Sequence, residues 1–159
     1  MTGKPNRTGR SEKSEHWTKV VRSTMETPAW RELSTAAQAL YPWLKLEWHG
    51  AQNNNNGSIS LSVSQAAQRL GVKADTAARA FHDLQAKGFI VLTKEARLGV
   101  AGAAKCSEYE ITEIALRGAD RPRALYSQWS PCAEYPIKRC SKANPEGKNG
   151  GRKIRNPSQ

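Results

Sequence analysis

The sequence predicts an α+β fold in which a few short strands lie beside a group of helices. Residues 58–62 (SISLS) alternate polar and apolar side chains, which is typical of a short, half-buried strand. Two amphipathic segments follow, and each of them ends at a glycine, Gly71 and Gly88. Two further apolar runs, at residues 89–92 and 109–111, are joined by a loop rich in Gly and Ala. The predicted order is therefore strand, helix, turn, helix and β-hairpin.

Helical periodicity defines the buried faces of these two helices. Ser62 or Ser64 can cap the first helix, which buries Ala66, Ala67 and Leu70. The second runs from about Ala74 to Lys87, and its apolar positions are Ala77, Ala80, Phe81 and Leu84. The positions left facing outward are Asp75, Thr76, Arg79, His82 and Asp83.

The region before residue 58 predicts further helix. Thr27-Pro28 is a helix start, and Ser34 offers a second one, after which apolar residues recur at helical spacing as far as Trp48. Pro42 falls inside this pattern and should either kink the helix or mark a join between two shorter helices. Residues 17–26 fit a strand or a short helix, and residues 52–57 (QNNNNG) predict a loop.

Composition and charge divide the 159 residues into one folded domain with extensions. Residues 1–16 are expected to form a disordered N-terminal arm and residues 17–116 the domain. Residues 117–159 should form a basic, largely irregular tail, to which Tyr126, Trp129 and Tyr135 give a means of attachment to the domain. The net charge is +11, and the tail holds ten Lys/Arg against three Asp/Glu. Such a balance favours a polyanionic partner.

Several classes of protein are disfavoured. No segment approaches the roughly 20 apolar residues of a membrane span, and the N-terminus lacks the apolar run of a secretory signal, so no membrane partner is expected. Three cysteines without a CxxC pair indicate a reducing cytoplasm. The histidines are scattered, and no metal-ligand spacing or phosphate-binding glycine motif occurs. We expect neither an enzyme, nor a metal site, nor a cofactor.

The segment LSVSQAAQRLGVKADTAARAFHDLQAKGFI, residues 61–90, resembles winged helix-turn-helix proteins. These include bacterial regulators of the GntR and MarR types and the winged-helix modules of plasmid and phage replication proteins. The resemblance extends over about residues 58–112, with residues 30–48 as the preceding helix. It implies a winged helix-turn-helix fold with flexible basic tails, in which the second helix reads double-stranded DNA and the hairpin forms a wing. Lys73 stands where these families usually have Ser or Thr, so a cation would replace a neutral phosphate contact.

This interpretation assigns nine candidate DNA-binding residues. Arg79 suits guanine O6 and N7, and Thr76 suits a thymine methyl group or a phosphate. The others would contact phosphates or lie on the wing: Ser64, Gln65, Arg69, Lys73, Lys94, Arg97 and Lys105. The competing interpretation is an ion pair of Arg79 with Asp83 on a solvated helix, and a plain solvated hairpin. Asp75 is expected to cap its helix rather than read cytosine, and His82 to be a surface residue.

Four functions share these features. The sequence favours a sequence-specific transcriptional regulator of a bacterium or mobile element, acting in the cytoplasm at the nucleoid, with a homodimer as a candidate assembly. A replication or partition accessory factor has the same fold requirements. An RNA-binding protein or a protein–protein adaptor is less favoured, because the second helix begins with polar residues suited to a duplex and the strands offer few stacking aromatics. Fold alone does not choose among them.

Overall fold

The computed structural model describes residues 16–98 and 104–139. Within them lie the helices α1 (Arg22–Met25), α2 (Pro28–Arg31), α3 (Thr35–Leu46), α4 (Val63–Leu70) and α5 (Ala74–Ala86). The strands are β1 (Ile59–Ser60), β2 (Ile90–Lys94), β3 (Arg97–Leu98), β4 (Ala104–Lys105) and β5 (Glu108–Ile111), and residues Leu125–Gln128 form a 3₁₀ helix. The predicted α+β class is confirmed.

The strands form two small antiparallel groups. One sheet has the order β1-β5-β2, and β3 pairs with β4 as an extension of the hairpin between β2 and β5. Tyr109 lies opposite Ile59 on one side and Leu92 on the other. The ladder between β2 and β5 is irregular between Leu92 and Lys94, where the hairpin leaves the sheet.

Side-chain caps fix where three of the helices begin. The hydroxyl of Thr27 accepts a hydrogen bond from the backbone N–H of Trp30, and that of Ser34 accepts one from Ala37. Both predicted starts are therefore used, by two separate helices. Ser62 opens α4. Pro42 lies inside α3, so the predicted join between two helices at this proline is wrong.

Helix α5 buries the face that its periodicity predicts. Ala77, Ala80, Phe81 and Leu84 are all buried. Phe81 is fully buried and stacks on Tyr109 of β5, with 5.1 Å between ring centroids. Helices α3 and α4 both pack against α5. This helix is therefore held by two other helices and by the sheet.

The predicted outward face of α5 requires two corrections. Asp83 is only partly exposed: it accepts hydrogen bonds from the backbone N–H of Ser34 (2.7 Å) and from Nζ of Lys87 (2.5 Å). The expected pair of Arg79 with Asp83 is thus wrong, because other groups occupy that carboxylate. His82 is half-buried with its Nε2 atom enclosed, not a plain surface residue. Burial lowers the pKa of His82, and the charge of Arg139 lowers it further.

The start of α5 requires a third correction. Lys73 has the extended backbone of an N-cap residue, with φ −69° and ψ 152°. Asp75 therefore lies in the first turn of the helix and not at its cap.

Asparagines in the predicted loop join the end of α3 to the end of β5. The side chain of Asn56 bonds the backbone N–H of Ile111 and the carbonyls of Ile111 and Ile114. Asn54 accepts from the indole N–H of Trp48 and donates to the carbonyl of Ala115. The loop is therefore fixed by side-chain bonds to backbone groups about sixty positions away.

Residues 117–139 have little regular structure but pack on the domain. Tyr126 stacks on Phe89 with 4.8 Å between ring centroids, and Trp129 is buried. The backbone N–H of Tyr135 donates to the carbonyl of Ala86 at the end of α5. Arg123 forms two hydrogen bonds to the buried carboxylate of Glu110 on β5. This segment covers the face of β5 that carries Glu110, turned away from the core.

A buried polar cluster joins α1, α3 and the turn after β5. The carboxylate of Glu113 accepts hydrogen bonds from Nζ of Lys45 (2.7 Å), the hydroxyl of Thr24 (2.7 Å) and the phenol of Tyr41 (2.9 Å). Burial alone would raise the pKa of Glu113, but these bonds outweigh it and hold the pKa below its ordinary value.

Three predictions concern residues outside the described ranges. They are the disordered arm, except for His16, the tip of the hairpin at 99–103, and the basic tail beyond residue 139.

Replacing Phe81 with alanine should unfold the domain or nearly so. Truncating a fully buried phenylalanine typically costs about 3–5 kcal/mol, and Phe81 also loses its stack on Tyr109. Thermal denaturation followed by circular dichroism measures the effect. Arg79→Ala, on the exposed side of the same helix, is the matched control and should stay within about 0.5 kcal/mol of the parent. Equal melting temperatures for Phe81→Ala and the parent would contradict this packing.

Acidification should reveal the contribution of Glu113. Its folded-state pKa lies below the ordinary value of 4.5, so its stabilisation is fully present above that value and is lost as the pH falls through the lower folded pKa. We expect Glu113→Gln to be less stable than the parent at pH 7, by about 3 kcal/mol or more, since Lys45 is left buried without its partner. Denaturant titrations from pH 7 to pH 3 should show this difference shrinking below about pH 4.5. A constant difference would contradict the role given to the carboxylate.

Candidate nucleic-acid interface

The first half of α5 presents an exposed polar surface. Lys73 and Arg79 are exposed, and Thr76 is partly exposed. Thr76 and Arg79 are three positions apart and share one side of the helix, opposite the buried Ala77, Ala80 and Phe81. Sequence periodicity predicted this side for all three candidates, and the structure places them there.

The N-terminus of α5 differs from those of α2, α3 and α4. Those three helices each begin at a hydroxyl that accepts a backbone hydrogen bond, from Thr27, Ser34 or Ser62. Helix α5 begins at Lys73, whose side chain makes no cap bond. The first-turn N–H groups therefore lack a side-chain acceptor, and the helix dipole adds partial positive charge to that of the lysine. An anion such as a phosphate suits this position.

The three candidates on α4 are placed differently from one another. Ser64 is exposed in the first turn. Gln65 is exposed too, but its side-chain oxygen accepts from the backbone N–H of Ser62, 3.1 Å away, in a capping box. Arg69 turns toward α3, where it pairs with Glu47 at 2.5 Å and lies over the ring of Trp43 at 5.2 Å. Arg69 is thus engaged within the protein.

The hairpin brings two cations together. Arg97 on β3 lies directly opposite Lys105 on β4, and both side chains are exposed. Like charges in directly opposed positions destabilise an antiparallel pair, so a bound anion would relieve their repulsion. Lys94 instead pairs with Glu108 at 2.8 Å. The hydrogen bond from Lys94 lowers the pKa of Glu108 against an opposing effect of burial, and the charge of Arg97 adds to the lowering.

Ion pairing therefore separates the six cationic candidates into two groups. Arg69 and Lys94 are paired with carboxylates. The other four have no ion pair with any of the residues that the structure describes: Lys73, Arg79, Arg97 and Lys105. This second group lies on two elements, the start of α5 and the hairpin.

Sequence reasoning missed the polar residues that hold these elements in place. Glu110, Glu113 and Asn56 are buried or partly buried and bind groups from distant segments. A signal was present for Glu110, since an acidic residue alternates with the apolar Tyr109 and Ile111 on a strand whose outer face would otherwise be solvated. Its partner Arg123 could not be identified from the spacing.

Other kinds of site find little support in the described ranges. Residues 16–98 and 104–139 contain no group of three or more His, Cys, Asp or Glu side chains that could hold a metal ion. Among the same residues, no helix combines the length and apolar character needed to cross a bilayer.

Comparison of the chain with protein-family models, with curated proteins and with solved structures found no match.

Proposed function

We propose that this protein is a winged helix-turn-helix protein that binds double-stranded DNA, with α5 as the recognition helix and the β3–β4 hairpin as the wing. The observation that supports it most is the start of α5, where Lys73, Thr76 and Arg79 are exposed on a helix whose N-terminus has no side-chain cap. The order α3, α4, α5 followed by a small antiparallel sheet is compatible with this fold. A transcriptional regulator is the function we favour.

The chemistry assigns a role to each residue. The first turn of α5 and Lys73 bind a backbone phosphate, which fixes the register of the helix on the duplex. Arg79, one turn further along, donates to O6 and N7 of a guanine in the major groove. Thr76 lies between these two contacts and meets a phosphate or a thymine methyl group.

The hairpin provides a second contact in this proposal. Arg97 and Lys105 together bring two positive charges to one short β-ladder. Such a pair suits the phosphates that border a groove, where affinity depends on salt and not on sequence. Arg69 and Lys94 are secondary in this scheme, because a phosphate would have to compete with Glu47 and Glu108.

Arg79→Ala should reduce discrimination between a selected duplex and a scrambled one while leaving the fold intact. Loss of a bidentate guanine contact costs about 1–3 kcal/mol at one base position. The measurement is fluorescence anisotropy at fixed salt, with a duplex first selected from a random library. Arg31→Ala removes an equally charged, exposed side chain from α2 and is the matched control.

Three outcomes of this experiment separate the roles of Arg79. Loss confined to the selected duplex supports base recognition. Equal loss on both duplexes would make Arg79 a phosphate contact. No loss on either, or failure of any random duplex to be selected by the parent, would overturn the proposal that α5 reads DNA.

Removing residues 142–159 should weaken binding to all duplexes alike. This segment holds five Lys/Arg and one Glu, and charge of this kind contributes affinity without sequence preference. The slope of log K against log salt should become shallower by about 0.9 for each phosphate that the shortened chain leaves unneutralised. An unchanged slope would show that the tail takes no part in binding.

A further inference from the structure

Strand β2 has one edge that no described residue pairs with. It lies at the end of the sheet, with β5 as its neighbour on one side. Val91 is opposite Glu110, and the carbonyl of Phe89 accepts from the N–H of Thr112 at 2.9 Å. Backbone groups in a strand alternate in direction. Those of Phe89 and Val91 therefore face β5, and those of Ile90 and Leu92 face the outer edge.

A cavity of about 210 Å³ lies along this outer edge, between β2 and the segment that follows the 3₁₀ helix. Its apolar walls include Ile90, Leu92, Leu125 and Tyr135, and the cationic side chains Arg123 and Lys138 line it as well. The open edge and the apolar surface thus belong to one groove.

The far wall of the groove is fixed in place by hydrogen bonds. The side-chain amide of Gln85 donates to the carbonyl of Lys138 (3.0 Å) and accepts from its backbone N–H (3.1 Å). The hydroxyl of Tyr135 donates to the carbonyl of Leu125 at 2.8 Å. Tyr135 also covers Gly88, where any Cβ atom would lie 2.7 Å from its ring. The groove is therefore built into the fold and needs no rearrangement to form.

We propose that this groove binds an extended, acidic segment of a partner protein, which adds to β2 as a fourth strand. Strand addition takes its affinity from main-chain hydrogen bonds and its specificity from contacts with alternate side chains. Ile90 and Leu92 supply the first, and the apolar walls supply the second. An unprotected strand edge normally attracts such pairing unless charge or proline prevents it, and at β2 the first three residues are Ile90, Val91 and Leu92.

Charge selects the occupant. Glu110 balances Arg123, whereas the exposed Lys138 has no carboxylate partner among the described residues. The groove is thus net positive and favours carboxylates. The chain's own residues 140–159, with six Lys/Arg-free positions aside, carry an excess of Lys/Arg over their one Glu and have the wrong sign. A second copy would bring its own β2 edge, with Lys94 and Lys138, against the same cations. Like-charge contacts of this kind disfavour both alternatives.

This surface is separate from the one proposed to bind DNA. Gln85 lies six residues beyond Arg79, which is about 9 Å along the helix axis and on a different side of α5. The inference therefore stands or falls independently of the proposed function.

The test uses the full chain and a synthetic, fluorescein-labelled peptide of alternating residues, Glu-Val-Glu-Val-Glu-Val. Fluorescence anisotropy should show saturable binding of this peptide, and the Lys-Val peptide of the same length should not bind. Lys138→Glu should weaken binding about three- to ten-fold. Lys19→Glu, at an exposed position outside the groove, should leave the affinity within about two-fold of the parent, since remote surface charges are largely screened at physiological salt.

Hydrogen exchange decides whether the peptide pairs with the main chain. Bound peptide should slow exchange of the Ile90 and Leu92 amides in the parent. Equal binding of the Lys-Val peptide, or unchanged exchange at both amides, would overturn the proposal. Self-association of the protein that competes with the peptide would assign the groove to a second copy and would overturn it as well. Circular dichroism checks that both variants fold.

Discussion

Much of the structure depends on Phe89, the residue directly after the turn that ends α5. Its ring meets Trp30 of α2 and Tyr41 of α3 edge to face, and Tyr126 stacks on it from the C-terminal segment. Its backbone N–H donates to the carbonyl of Leu84, and its carbonyl accepts from Thr112 after β5. Helices, sheet and C-terminal segment therefore meet at one fully buried residue. Gly88 permits this arrangement, because its φ of +75° is unfavourable for other residues. The direction of α5, and with it the direction of Arg79, is set at this turn.

Pairing of charges determines which cations remain available to a partner. In the described residues, buried or half-buried carboxylates engage Lys45, Lys87 and Arg123. Removing one member of such a pair leaves a buried charge uncompensated, so these cations serve stability. Arg79 and Lys73 lie on the exposed side of α5 without such partners. The near-neutral charge of the domain therefore conceals an uneven distribution, which the count of residues alone does not reveal.

Local patterns allowed most of the helices and strands to be predicted from the sequence. Hydroxyl caps at Thr27, Ser34 and Ser62 and the periodicity of α5 depend on residues a few positions apart, which is why they could be recognised. The bonds of Asn56 to Ile111 and of Lys45 to Glu113 join residues more than fifty positions apart. No spacing rule predicts such pairs, because they depend on how the elements pack. For the same reason, the sequence offered Asp83 as a partner for Arg79 and did not identify the backbone N–H of Ser34, which the packing of α3 on α5 brings to that carboxylate.

The C-terminal segment connects the two proposed surfaces through α5. Gln85 fixes the backbone of Lys138, and the charge of Arg139 reaches His82, one helical turn from Arg79. The chain beyond residue 139 therefore begins beside the helix that we propose to read DNA. A tethered group acts at an effective concentration set by the length of its linker, so the basic residues that follow would meet phosphates close to the contacts of α5 and would need no binding site of their own. An acidic segment bound beside Lys138 would lie near the origin of this tail. By linkage, a partner that attracts the tail away from DNA must weaken DNA binding by the same factor by which DNA weakens the partner. Packing of residues 117–139 on α5 thus provides the physical connection that such a coupling requires.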